Sequence, residues 1–236
     1  MERLDKIVSK AGAVSRSDAR GLILRGLVAV DGEPVRDIGL KVDEAAAKIT
    51  LDGKPLNFKE HIYIIMNKPK GVLSASEDKK AKTVIDLLPD ELKRRNLFPV
   101  GRLDKNTTGL LLITDDGDFA HKLLSPSKKI PKEYIVTLDG EINSEVVDGF
   151  LRGVTLVDGT KLSSAKVEKL DAPFSVKVTI TEGKYHQIKR MFGLFDLGVN
   201  DLKRISFAGL GLPKDLSEGE FRELSNEEME IIKNKC

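Results

Sequence analysis

Pro99-Val100-Gly101-Arg102-Leu103-Asp104-Lys105-Asn106-Thr107-Thr108-Gly109-Leu110-Leu111-Leu112 is the stretch on which the reading of this chain turns. A polar loop runs into an apolar segment of the kind that forms a buried strand, so Asp104 stands at the strand's mouth. An acid between Arg102 and Lys105 reads equally as a surface ion pair, an arrangement worth little. Upstream, residues 62–66 are a continuous apolar run closed by the turn Lys68-Pro69-Lys70-Gly71. Downstream, strand patterns recur at 109–114, 134–138, 165–170 and 176–181, with helical patterns near 118–124, 144–151 and 184–192. Ser225 with Glu228 forms a capping box that opens a C-terminal helix. Helices and strands alternate without regular βαβ spacing. The expected class is α+β, with a larger domain on a mostly antiparallel mixed sheet flanked by helices.

The first residues have a different character. Leu4, Ile7, Val8 and Ala11 fall on one helical face, and Gly12 offers a stop. Ser15 with Asp18 predicts the N-cap of a second helix, whose apolar face is Ala19, Leu22 and Ile23. Arg16 and Arg20 share its exposed flank. Asp31-Gly32 between Leu27-Val28-Ala29-Val30 and Glu33-Pro34-Val35 is a hairpin signal, and residues 49–56 repeat it around Asp52-Gly53. Two short helices on a small sheet are expected over 1–57, a unit that buries little surface. Asn57-Phe58-Lys59-Glu60-His61 reads as a linker, and the second domain occupies 58–236.

Bulk properties exclude more than they assert. Lys and Arg total 39 against 37 Asp and Glu, a net charge of +2, so any RNA-binding case rests on where the cations sit. The one cysteine, Cys236, leaves no internal disulfide framework or Cys-rich metal site and fits a reducing compartment. The segment Met1-Glu2-Arg3-Leu4-Asp5-Lys6 has no apolar signal core, and no stretch approaches the ~20 apolar residues that span a bilayer. A soluble cytoplasmic protein is expected. His61, His121 and His186 lack metal-ligand spacing, and there is no nucleophile elbow, phosphate-cradling glycine loop or dinucleotide fingerprint. Asp115-Asp116-Gly117-Asp118 reads as a turn and a helix N-cap rather than as a metal site.

Several segments carry a family resemblance. Gly101-Arg102-Leu103-Asp104 followed by Thr107-Thr108-Gly109-Leu110 resembles the catalytic motif of the pseudouridine synthases. Lys132-Glu133-Tyr134 opens a strand as in that family. Glu182-Gly183-Lys184-Tyr185-His186-Gln187-Ile188-Lys189-Arg190-Met191-Phe192 resembles its third motif, in the form of the branch that modifies small-subunit ribosomal RNA. The order helix, Ser15-Arg16-Ser17, helix, Val28-Ala29-Val30-Asp31-Gly32 resembles an S4-like (alpha-L) RNA-binding domain.

The resemblance implies isomerisation of uridine to pseudouridine in small-subunit rRNA, free or in an assembly intermediate, by a monomer that uses no cofactor and no metal. It assigns the catalytic carboxylate to Asp104, base stacking to Tyr134, and to Lys189 the cation that favours an ionised carboxylate. Arg102 is expected to fill the gap left by the flipped nucleotide or grip a phosphate. Arg3, Lys6, Arg16, Arg20 and Arg190 are expected to face RNA, and the basic segments 128–132 and 203–204 are further candidates. Taken singly, Tyr134 is also an ordinary strand residue, Lys189 and Arg190 a solvated helix edge, and Ile188, Met191 and Phe192 core. Two rival functions remain open: the same reaction on large-subunit rRNA or another RNA, and a non-catalytic rRNA-binding assembly factor.

Overall fold

The computed structural model describes residues 1–11, 14–43, 46–56, 61–93 and 95–235. Gly12, most of the expected linker (57–60) and Cys236 lie outside the described residues. The chain forms two compact units, Met1–Ile62 with Leu88–Leu97, and Tyr63–Leu87 with Phe98–Cys236.

In the first unit β1 (Glu2–Arg3) leads into α1 (Leu4–Ala11), α2 (Arg16–Leu24), β2 (Val28–Val30), β3 (Glu33–Pro34), β4 (Lys41–Val42), β5 (Ile49–Leu51) and β6 (Lys54–Pro55), and α3 (Asp90–Lys93) belongs to its second segment. The helices arise where the apolar spacing places them. Leu4, Ile7, Val8, Ala19 and Ile23 are buried in one core, and the Ser15 side chain caps α2 by accepting from the Asp18 N–H. Both Asp-Gly pairs turn hairpins in a sheet of order β3-β2-β5-β6, with φ of 51° and 91° at Asp31-Gly32 and 49° and 73° at Asp52-Gly53.

Asp5 is the charged group in this core. Its side chain is fully buried and accepts from Arg3 Nε and Nη2 at 3.1 Å and from Arg20 Nε at 3.0 Å. The Arg3 hydrogen bonds, then those of Arg20, hold its carboxyl at about 2 against burial, which acts the other way. Because that value lies below the ordinary 3.8, the stabilisation is complete above pH 3.8 and is lost as pH falls through about 2. Asp5→Asn is expected to cost about 2 kcal/mol at neutral pH, less than a fully buried pair because both arginines remain half in water. Urea unfolding of the two proteins from pH 7 down to pH 2 checks this, and the gap between them should close at the acid end.

The second unit is built on one mixed sheet. Its strands are β7 (Tyr63–Lys68), β8 (Phe98–Pro99), β9 (Thr108–Thr114), β10 (Lys132–Leu138), β11 (Lys166–Lys169), β12 (Ser175–Ile180), β13 (Val199–Phe207), β14 (Leu210–Gly211) and β15 (Phe221–Glu223). The order is β11-β12-β10-β13-β9-β7-β15, with β14 on β13 and β8 on β9, and β13 and β9 are the one pair of these strands that runs parallel. Leu110 and Leu112 face a core shared with Phe119 and Leu123 of α4 (Gly117–Leu124) and Ile232 of α7 (Asn226–Lys233). By strand alternation Leu111 and Ile113 face the other side and are equally buried, which is why β9 reads as an unbroken apolar run. Phe150 of α5 (Ser144–Arg152) meets Phe192 of α6 (Gln187–Gly193) with ring centroids 4.7 Å apart.

The local expectations hold in most places. Asp116 caps α4, and Ser225 and Glu228 close their capping box on α7. Two readings need correction. Strand β13, near the middle of the sheet, was not expected, because Asn200, Asp201, Lys203 and Arg204 give it a polar composition. Helix α6 starts at Gln187 rather than near Lys184, because His186 sits in the left-handed region (φ 47°, ψ 33°) and ends the preceding turn.

Candidate active site

The loop before β9 is held by its backbone. Ser74 Oγ donates to the Leu103 carbonyl at 3.0 Å and accepts from the Leu103 N–H at 3.1 Å. The Thr107 N–H closes on the Asp104 carbonyl at 3.0 Å, and the Gly71 N–H reaches the Lys105 carbonyl at 2.9 Å. Beneath the loop, the fully buried Lys68 at the end of β7 donates to the carbonyls of Pro69, Lys105 and Thr107 at 2.9–3.1 Å. These bonds fix the Asp104 α-carbon without using any side chain of the loop.

Burial pushes the Lys68 amine down to about 8, with attraction to Asp104 opposing. Its folded value lies below its ordinary 10.5, so the folded state binds fewer protons between those limits and this group favours folding more as pH rises through the window. Lys68→Met is expected to lose about 1–2 kcal/mol, because carbonyls on the loop lose their donor. It should also lower kcat about tenfold with little change in KM, because a loosened loop misplaces the carboxylate. Urea unfolding at pH 8 and pH 10, in which the gap to the native protein should widen, and steady-state kinetics check the two parts separately.

Asp104, Tyr134, Lys189 and Arg102 all line one cleft of about 430 Å³. Within its lining Asp104 is the sole carboxylate, accompanied by the cations Arg102, Lys184 and Lys189. Its side chain is 32 % exposed, enough to meet a ligand. Tyr134, in β10, is 6 % exposed and lines the cleft beside it. The expected ion pair between Lys189 and Asp104 is not formed: among the described residues no Lys189 contact to it lies within ion-pair distance. Instead His186 Nε2 stands 3.6 Å from Asp104 Oδ1, too far for a hydrogen bond. The left-handed backbone of His186 costs on the order of 1–2 kcal/mol, and strain of this kind gathers at functional sites. The exposed Tyr185 ring stacks on it, centroids 3.9 Å apart. His186 belongs to the third motif, but only the fold places it beside Asp104. Lys68 belongs to a turn that the sequence shows without its buried contacts.

The expected RNA-facing cations divide. In the first unit Arg3 and Arg20 are tied to Asp5, and Lys6 pairs with Glu2. In the second unit Arg190 pairs with Asp158. Among the described residues Arg16 and Arg102 carry no ion pair, and both are exposed. No group of three or more His, Cys, Asp or Glu side chains among the described residues is placed to hold a metal ion, and no helix there is long and apolar enough to cross a membrane.

Comparisons with known proteins give the family and the fold. Residues 62–193 match the RNA pseudouridylate synthase family and residues 2–47 the S4 domain. An uncharacterized RNA pseudouridine synthase, YtzG, of Bacillus subtilis is 43 % identical over 233 residues, covering 98 % of each chain. Ribosomal small subunit pseudouridine synthase A of Escherichia coli is 38 % identical (98 % of this chain, 99 % of that one), and ribosomal large subunit pseudouridine synthase B of Bacillus subtilis is 37 % identical (99 % and 96 %). A crystal structure of a pseudouridylate synthase superposes with a TM-score of 0.70 at 32 % identity, covering 98 % of this chain and all of that one. The match over residues 62–193, more than half of the chain, and relatives of 38–43 % identity over nearly its whole length have one reading: this chain belongs to the RNA pseudouridylate synthase family.

Proposed function

We propose that this pseudouridine synthase acts on small-subunit ribosomal RNA, as a monomer and without a cofactor, with Asp104 as its catalytic carboxylate. The observation that carries the assignment of Asp104 is its position as the sole carboxylate of a cleft that it shares with Tyr134 and Lys189. The reaction breaks the bond from ribose C1′ to N1 of uracil, turns the base, and joins C1′ to C5, whose hydrogen leaves. Asp104 supplies the nucleophile or base, Tyr134 the stacking surface for the detached uracil, and Lys189 the positive side of the pocket, with the His186 imidazole beside the carboxylate. A structured RNA hides the glycosidic bond, so the nucleotide leaves its stack at a cost of a few kcal/mol, and Arg102 at the rim occupies the space it vacates.

The choice of small-subunit RNA rests on the form of residues 185–192. The near-equal identity to a small-subunit and a large-subunit enzyme does not decide it. Residues 1–57 supply affinity and choice of site, and 58–236 the chemistry, with Arg16, which stands in no ion pair among the described residues while Arg3, Lys6 and Arg20 do, a cation that can meet a phosphate. The test is tritium release from C5-labelled uridine in small-subunit and large-subunit transcripts and in their precursor particles. Release from the small-subunit RNA alone supports the proposal. Release only from large-subunit RNA corrects the address. Tight binding without release from any of them supports an assembly factor.

A further inference from the structure

Beside the Asp104 cleft, and sharing Arg102, Tyr134, Gly183 and Lys184 with its lining, lies a second cleft of about 810 Å³. Its wall carries two cations that the sheet has drawn out of water. Arg204 on β13 is 2 % exposed, and Lys132 on β10 is half-buried. The antiparallel register sets Tyr134 opposite Arg204 and Lys132 opposite Phe207, so the ladder presents the stacking tyrosine and both cations on one face. Both cations stand over the same Phe207 ring, Lys132 Nζ 5.5 Å and the Arg204 guanidinium carbon 4.9 Å from its centroid.

Among the described residues their hydrogen bonds go to carbonyls, Lys132 Nζ to Ile130 at 3.1 Å and Arg204 Nε to Leu110 at 2.7 Å. Among the described residues neither has a carboxylate within ion-pair distance, and Arg204 Nη2 is buried with no acceptor at all. Burial first, and the Arg204 charge second, push the Lys132 amine down to about 8. The one carboxylate on this wall, Glu182, is already engaged by the Ser163 N–H at 2.9 Å, the Ser163 hydroxyl at 3.3 Å and Gln187 Nε2 at 2.9 Å. A buried and a half-buried like charge with an open guanidinium hydrogen are unfavourable in the free protein and become favourable when an anion arrives.

We propose that this second cleft is a phosphodiester subsite, in which Arg204 and Lys132 receive one backbone phosphate of the RNA next to the uridine that enters the Asp104 cleft. Lys132 lies two residues before Tyr134 on the same face of β10, about 7 Å along the strand, and Arg204 stands opposite Tyr134, so a phosphate held there adjoins the cleft that takes the base. This inference rests on the chain acting on RNA and not on which ribosomal RNA it modifies.

The test is equilibrium binding by the full chain of an RNA fragment in which each phosphate near the reactive uridine is replaced in turn by a neutral methylphosphonate. Native protein and Lys132→Met are compared. Arg204 also holds the Leu110 carbonyl, so Arg204→Lys is used beside Lys132→Met and not alone. The expected result is a roughly tenfold loss of native affinity at one linkage, a similar loss for Lys132→Met with unmodified RNA, and no further loss when the two are combined. The salt slope of Lys132→Met should fall by about one contact. Equal losses for native and variant at every linkage would mean that the cations serve the fold alone, and would overturn the proposal. Inhibition of the native protein by inorganic phosphate, absent in Lys132→Met and without any linkage dependence, would assign the site to a free anion and overturn it as well. Binding is read apart from tritium release, so failure here leaves the assignment of the reaction untouched.

Discussion

Asp104→Asn should abolish tritium release, by a factor on the order of 10³ or more, while RNA affinity stays within about twofold. Asparagine keeps the size of the side chain and removes its capacity as base or nucleophile. The fold has little reason to notice the change. The loop hangs from bonds to its backbone made by Ser74, Gly71 and Lys68, and the His186 imidazole stands 3.6 Å from the carboxylate, beyond hydrogen-bonding distance. Circular dichroism and urea unfolding should therefore match the native protein. A variant that unfolds easily would mean that Asp104 has a structural role, and one that still releases tritium would remove it from the chemistry.

The largest loss of stability is expected from Gly109→Ala. Gly109 follows Thr108 in the short run of β9 that pairs in parallel with β13, where it faces Arg204 in register. Its φ of 99° disfavours an L side chain, and a β-carbon there would stand 2.2 Å from the Arg204 carbonyl oxygen. The two strands must separate or the backbone must rotate, and the combined penalty is about 3 kcal/mol or more. Gly71→Ala is the control. It shares the positive φ, 80°, but its β-carbon meets nothing within 4 Å, so only about 1 kcal/mol is expected. Urea midpoints of the two variants measure the difference, and equal midpoints would show that conformation rather than contact sets the cost.

Gly109 also shows how far the sequence was legible. Thr107-Thr108-Gly109-Leu110 stands out as a motif, yet its glycine is demanded by a strand some ninety residues later whose polar composition hid it. Features that depend on neighbours in sequence were readable: the Ser15, Asp116 and Ser225 caps, both Asp-Gly turns and the apolar run of β9. Features that depend on partners across the fold were not. Lys68 looks like a turn lysine until its three carbonyls are in place, and Arg204 looks like a surface cation until Phe207 and Leu110 enclose it. Lys189 was read from its place in a motif as the partner of Asp104, but motif order gives no side-chain distance. The left-handed turn at His186 brings a different ring to that side of the carboxylate.

The suspension of the Asp104 loop by main-chain bonds has an evolutionary consequence. Lys105 and Asn106, directly after the carboxylate, have exposed side chains that take no part in holding it. Mutation can therefore rewrite what those positions present to an RNA while the acid stays in register above Lys68. A lineage built on this loop can change its target by small steps and keep its chemistry at every one of them.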